Sequence, residues 1–131
     1  MSKPCPCASK LTYDRCCQPF IEGKKSPETA TLLMRSRFSA YALGKVDYIL
    51  KTTETAERTK LDRDELAGYC RTVKCVSLKI ISAERGGPGD ESGTVKFHAS
   101  LHVNGKRQLH IESSRFIRES GAWVYVDGDS N

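Results

Sequence analysis

The sequence predicts an α+β fold in which helices come first and an antiparallel sheet follows. Three observations carry that prediction. Apolar residues recur at helical spacing between positions 33 and 42. From position 73 onward the period changes to the alternation of strands. Asn104-Gly105 stands between two alternating runs, the strongest short hairpin signal in the chain. Helices followed by a meander of about four strands imply helices packed on one face of a curved sheet.

Each element has its own signal. "QPFIEGKKSPE" is rich in turn residues and reads as a linker. Ser26-Pro27-Glu28 reads as a helix start, with Ser26 at the N-cap and Pro27 in the first turn. Leu33, Met34, Phe38, Tyr41 and Ala42 form the inward stripe, and Gly44 is the stop. A short helix is expected from 47 to about 53. Asp62 lies three residues before Glu65, which is capping-box spacing, so a third helix is expected from there to near 71. "VKCVSLKIISA" is β-branched, "GGPGDESG" is a loop, and "TVKFHASLHV" alternates cleanly. "KRQLHIESSRFIR" returns, Ser120-Gly121 turns, and "AWVYV" closes the sheet.

The N-terminal stretch "CPCASKLTYDRCC" holds four of the six cysteines. No apolar run reaches the roughly 20 residues of a membrane helix, and "MSKPCPC" has no apolar leader core. A cytoplasmic location is therefore expected, where thiols stay reduced. Cys16 and Cys17 are adjacent, about 3.8 Å between Cα atoms, too close for an ordinary disulfide. Zinc fits better, because it takes four thiolates tetrahedrally. Cys5-Pro6-Cys7 supplies one pair from a stiff segment, Cys16-Cys17 the other, and the eight residues between can turn back to close the site. A four-thiolate zinc carries about −2, and four thiolates leave no open position, so the metal is expected to be one structural zinc.

The net charge is +5, and residues 1–60 carry 11 Lys+Arg against 6 Asp+Glu while residues 61–131 balance at 10 each. Lys3, Lys10, Arg15, Lys24 and Lys25 surround the cysteines in sequence. They are expected to lower the thiolate pKa values, and Lys10, Arg15, Lys24 and Lys25 to offer a basic surface to an acidic partner.

The spacing of Cys5, Cys7, Cys16 and Cys17, with Pro6, Ser9 and Tyr13, resembles the SEC-C metal-binding motif. That motif has glycines where this sequence has Ala8 and Lys10, and those glycines would ease a tight turn. The motif occurs at the C-terminus of the translocation motor SecA and is associated there with binding its chaperone SecB and ribosomes. A protein or ribosomal partner is what that resemblance implies, with nucleic acid as a weaker alternative. "LLMRSRFSAYALGKVDYILKT" with "IESSRFIRESGAWVYVDG" resembles the YchJ-like family of uncharacterised bacterial proteins. The resemblance implies a knuckle over 1–22 and, over 26–131, a domain of the nuclear transport factor 2-like (cystatin-like) fold, a cone with a concave sheet. It implies no reaction.

Hairpin arithmetic says what lines such a cone. A two-residue Asn104-Gly105 turn sets Val103 opposite Lys106, Ala99 opposite His110 and Phe97 opposite Glu112. The next turn sets Phe116 opposite Tyr125 and Arg118 opposite Trp123. One face then collects Phe97, Ala99, His110, Glu112, Ser114, Phe116, Trp123 and Tyr125. Glu112 among aromatics is either a proton-transfer group, with His110 as its possible companion, or a structural carboxylate paired with Arg37. Arg37 shares the inward helical face with Tyr41 and is the expected partner. His98 and His102 fall on the opposite face, and Cys70 and Cys75 read as small core residues.

Three functions follow. The leading one is a zinc-binding adaptor acting through the knuckle. The others are a cone that binds or transforms a small molecule at Glu112, and a scaffold with a filled cone. No nucleophile triad, phosphate loop or dinucleotide fingerprint is present, and the sequence favours no enzyme.

Overall fold

A computed structural model describes residues 3–130. The outermost positions of the expected knuckle and domain, residues 1–2 and 131, lie outside them. The chain opens with a hairpin-like knuckle closed by Cys5 N–H to Leu11 O (2.9 Å) and Tyr13 N–H to Lys3 O (2.9 Å), then a 3₁₀ turn at Tyr13–Arg15. Five helices follow: α1 (Gln18–Ile21), α2 (Ala30–Leu43), α3 (Val46–Lys51), α4 (Thr55–Arg58) and α5 (Arg63–Thr72). Four antiparallel strands complete it, β1 (Val73–Arg85), β2 (Ser92–Val103), β3 (Lys106–Glu119) and β4 (Ala122–Ser130), side by side in chain order.

Two helix starts differ from expectation. The "QPFI" part of the expected linker is a single helical turn, with proline in its first turn where a missing N–H costs nothing. The long helix begins three to four residues later than Ser26 implies. Its N-cap is Thr29, whose hydroxyl accepts from Leu32 N–H at 3.1 Å. The reason is tertiary. The carbonyl of Glu28 accepts from the Trp123 indole N–H (3.0 Å), so it is taken up outside the helix that a Ser26 cap would begin. The other end matches: Gly44 is left-handed (φ 72°), and Lys45 N–H closes on Ala40 O at 2.8 Å. Asp62 caps α5 by accepting from Glu65 N–H at 2.9 Å, as its spacing implies. The turn α4 has no apolar period to announce it.

The sheet keeps the predicted register. Asn104 (φ 53°) and Gly105 (φ 78°) make a type I′ turn, and Val103, Ala99 and Phe97 pair with Lys106, His110 and Glu112. Phe116 pairs with Tyr125 and Arg118 with Trp123. Irregularities between Cys75 and Ser77, and between Ile80 and Ser82, bend β1. The open edge of β4 is covered where Tyr125 exchanges backbone bonds with Thr52 and Glu54, both at 2.8 Å. The core runs from Leu33 and Ile49 on the helices to Val95, Phe116 and Trp123 on the sheet, all nearly inaccessible.

Arg118 ties the far end together. Its guanidinium donates to the carbonyls of Asp90 (2.7 Å), Pro88 (2.8 Å) and Gly121 (2.9 Å) and lies 4.5 Å over the Trp123 ring. One planar fork thus holds the 86–91 loop, the β3–β4 turn and the entry to α2. Arg118→Ala should destabilise the domain by about 2–4 kcal/mol in urea unfolding. Arg118→Lys should restore little, because an ammonium cannot span that fork.

Candidate metal centre and cone pocket

The sulfurs of Cys5, Cys7, Cys16 and Cys17 lie within 4.8 Å of one another. Cys7 and Cys16 are 3.6 Å apart and Cys16 and Cys17 3.8 Å. A tetrahedral ion with bonds of about 2.3 Å to sulfur sets its ligands about 3.8 Å apart, close to the two distances above, so the four thiols could hold a metal ion. Cys5, Cys7 and Cys17 are buried and Cys16 is partly exposed. Hydrogen bonds from Cys17 and Cys5 hold the Cys7 thiol far below its ordinary range. Hydrogen bonds to Cys5 and Cys7 raise Cys17 far above it, and burial pushes Cys16 up to about 11. Binding a metal expels the thiol protons, so acid opposes loading.

The knuckle is docked on the cone. Cys5 Sγ lies 3.4 Å from Ser39 Oγ on α2, and Arg35 Nη1 donates to Cys7 O (3.1 Å) and reaches Cys7 Sγ (3.8 Å). The cation that meets a sulfur is therefore Arg35, from a helix remote in sequence. Lys10, Arg15, Lys24 and Lys25 are exposed on the surface, and Lys24 pairs with Glu22 at 3.3 Å. Arg35 and Ser39 stand four apart on one helical face; that spacing is the only sequence signal that could have found them.

The opposite side of α2 roofs a cavity of about 350 Å³. Among its lining residues are Arg37, Tyr41, Phe97, His110, Glu112, Ser114 and Tyr125, with Met34, Phe38, Leu66, Tyr69, Cys75, Ala99 and Leu101. Sequence reasoning missed Leu66 and Tyr69, because only packing brings α5 over the mouth. Phe116 and Trp123 share the inward face but do not line the cavity; the start of α2, anchored by Ala30 N–H to Gly86 O (2.8 Å), buries them. The cone is not filled by its own side chains.

Glu112 is not paired with Arg37, contrary to the sequence expectation. Its Oε1 meets His110 Nε2 at 2.8 Å, and its Oε2 accepts from Ser114 (2.5 Å) and Tyr125 (3.4 Å). Arg37 instead turns to α3, donating to Ile49 O (3.0 Å), Thr52 Oγ1 (2.8 Å) and Thr53 Oγ1 (3.2 Å). Its guanidinium lies 4.7 Å over the Tyr125 ring. The Ile49 carbonyl and two threonines at a helix end outcompete a carboxylate already satisfied by His110, Ser114 and Tyr125. Gly128 gives that carboxylate room: a side chain there would collide with Glu112, whose Cδ would lie 2.6 Å away. His98 and His102 take no part in the cavity. Cys70 and Cys75 pack at the edge of the core.

Ala8 (φ 62°) and Lys10 (φ 77°) are both left-handed, the two positions where the motif has glycine. Ala8→Gly and Lys10→Gly should each stabilise the metal-loaded protein by about 1 kcal/mol, read as a rise in melting temperature that is additive in the double variant. An unchanged or lower melting temperature would refute the strain.

Residues 29–128 match the family described as YchJ, middle NTF2-like domain, and residues 1–19 match the SEC-C motif. A UPF0225 protein of Chromobacterium violaceum is 43% identical over 126 residues, covering 95% of this chain and 90% of that one. One from Corynebacterium glutamicum is 40% identical over 130 residues, covering 98% of each. The solution structure of a SEC-C motif containing protein from Rhodopseudomonas palustris aligns with a TM-score of 0.88 at 34% identity, covering 97% of this chain and 98% of that one. A crystal structure of a SEC-C motif containing protein from Psychrobacter arcticus aligns at 0.82 and 27% identity, covering 94% and 80%. Among the described residues no helix is long and apolar enough to cross a membrane. With its cysteine cluster docked on a four-stranded cone, this chain belongs to the YchJ-like family of SEC-C proteins with a nuclear transport factor 2-like domain.

Proposed function

We propose that this protein is a zinc-stapled cone that binds a small, largely apolar molecule and moves a proton on it with the His110–Glu112 pair. The observation that carries the reading is the open cavity of about 350 Å³ with that pair in its wall. Pockets of this size, mostly apolar with a few convergent polar groups, are the usual form of small-ligand sites. Glu112 is satisfied by three partners, so its role is to orient His110. With Nε2–H donated to the carboxylate, Nδ1 is left as the basic atom for a ligand. Hydrogen bonds from Ser114 and Tyr125 hold the carboxylate in place as His110 gains and loses a proton.

Zinc is the metal that suits four thiolates in tetrahedral spacing, and its role is structural because no ligand position remains for substrate. Reduced thiols and such a site fit the cytoplasm.

A second reading makes the knuckle an adaptor for an acidic protein or the ribosome. It is favoured by the exposure of Lys10, Arg15, Lys24 and Lys25 while the cysteine face is turned onto α2. Reversing the charge of Lys10, Arg15 and Lys24 should then abolish low-salt recovery of a partner by full-length protein. Unchanged recovery would discard it.

The cone reading is tested by a fragment screen read in the NMR spectrum of the zinc-loaded protein. Hits should move resonances of Phe97, Leu101 and His110, and Gly128→Ala, which displaces Glu112, should weaken them by about tenfold. Native mass spectrometry of the same sample should show one zinc per chain, lost on chelation. A library that leaves the cavity resonances still would overturn the cone reading.

A further inference from the structure

Arg37 is 4% exposed, yet no carboxylate of the described residues pairs with it. A buried guanidinium without a counter-charge is costly, so its environment has to supply one. Nη1 alone donates three hydrogen bonds, to Ile49 O, Thr52 Oγ1 and Thr53 Oγ1, all neutral acceptors. Nε and Nη2 make no hydrogen bond among the described residues, neither is a fully sealed atom, and Arg37 lines the cavity. Those two nitrogens form one edge of the guanidinium. Their parallel N–H groups match the two oxygens of a carboxylate.

From this edge we infer that the cone takes a small organic monocarboxylate, its carboxylate forked on Nε and Nη2 of Arg37 and its body lying in the apolar cavity. The proposal rests on the ligand-binding reading above and names the class of ligand. Tyr41, one helical turn beyond Arg37, also lines the cavity, and its hydroxyl makes no hydrogen bond among the described residues. It supplies a third donor beside the fork. Met34, Phe38, Phe97 and Leu101 surround the remaining volume with hydrocarbon, which suits an aromatic or branched body. Glu112 does not compete for the cation, because its oxygens are taken by His110, Ser114 and Tyr125. Tyr125 stands between the two charges, its ring under Arg37 and its hydroxyl on Glu112. A phosphate ester fits less well: one cation with one free edge neutralises a monoanion and leaves a dianion half-paired.

The test compares acids with their neutral isosteres on the zinc-loaded full chain. Benzoate, phenylacetate and cinnamate are titrated beside benzamide, phenylacetamide and cinnamamide, following the Arg37 Nε–H and the cavity resonances by NMR. Each acid should bind at least about tenfold more tightly than its amide and move the Arg37 Nε–H resonance. In Arg37→Gln that discrimination should vanish. If that variant fails to fold, the wild-type comparison and the Nε–H shift decide alone. Acids and amides binding equally in the cavity would overturn the carboxylate assignment and leave the ligand-binding reading intact. Neither class moving the cavity resonances would overturn both.

Discussion

The structure hangs on a helix that is buried from two sides. Of the 14 residues of α2, eight are buried, including Ser36, Arg37 and Ser39 as well as Leu33 and Phe38. A helix with one covered face would carry a single apolar stripe and leave its polar side in water. Here the cysteine knuckle covers the side that water would occupy. Each polar group buried on this helix therefore needs a partner. Ser36 finds Leu33 O and the Tyr48 hydroxyl, both within 2.8 Å; Ser39 finds Cys5; Arg37 finds the end of α3. A metal held by the four thiols would thus also hold the knuckle against α2. The knuckle is part of the cone's core rather than a free appendage, since Cys5, Cys7 and Cys17 share one apolar cluster with Leu33, Phe38 and Trp123.

The same helix separates two chemistries. Arg35 and Ser39 face the sulfurs, while Arg37 and Tyr41 face the cavity. Spacing of four residues keeps each pair on its own side. Two arginines two positions apart therefore do unrelated work. One sits beside a cluster that becomes anionic on deprotonation; the other is held at the end of α3 through Nη1, with no hydrogen bond on Nε or Nη2 among the described residues.

The sheet contributes position rather than charge. Its type I′ turn fixes which residues face inward, and a one-residue slip would have sent Glu112 and His110 to the outer face with His98 and His102. The absence of a side chain at Gly128 then lets the carboxylate lie along the neighbouring strand instead of reaching across the cone. Without that space, Glu112 and Arg37 would have had reason to meet.

Much of this was legible in the chain itself. Asn104-Gly105 determined the register, and with it the inward row from Phe97 to Tyr125, because turn type and side-chain alternation are local rules. The spacing of Cys5, Cys7, Cys16 and Cys17 determined a metal-binding cluster, since four soft ligands within thirteen residues have few other uses. Gly44 marked a helix end by its left-handed backbone and Asp62 a helix start by its side-chain oxygen. Tertiary structure alone decided the rest. Thr29 rather than Ser26 caps α2 because Trp123, 95 residues away, claims the Glu28 carbonyl. Arg35 rather than the neighbouring lysines meets the thiols because the knuckle folds back on a helix. Arg37 leaves Glu112 to His110, Ser114 and Tyr125 because α3 ends in two threonines beside it. Each of these outcomes is a competition between partners far apart in sequence, and only packing determines which of them come within reach.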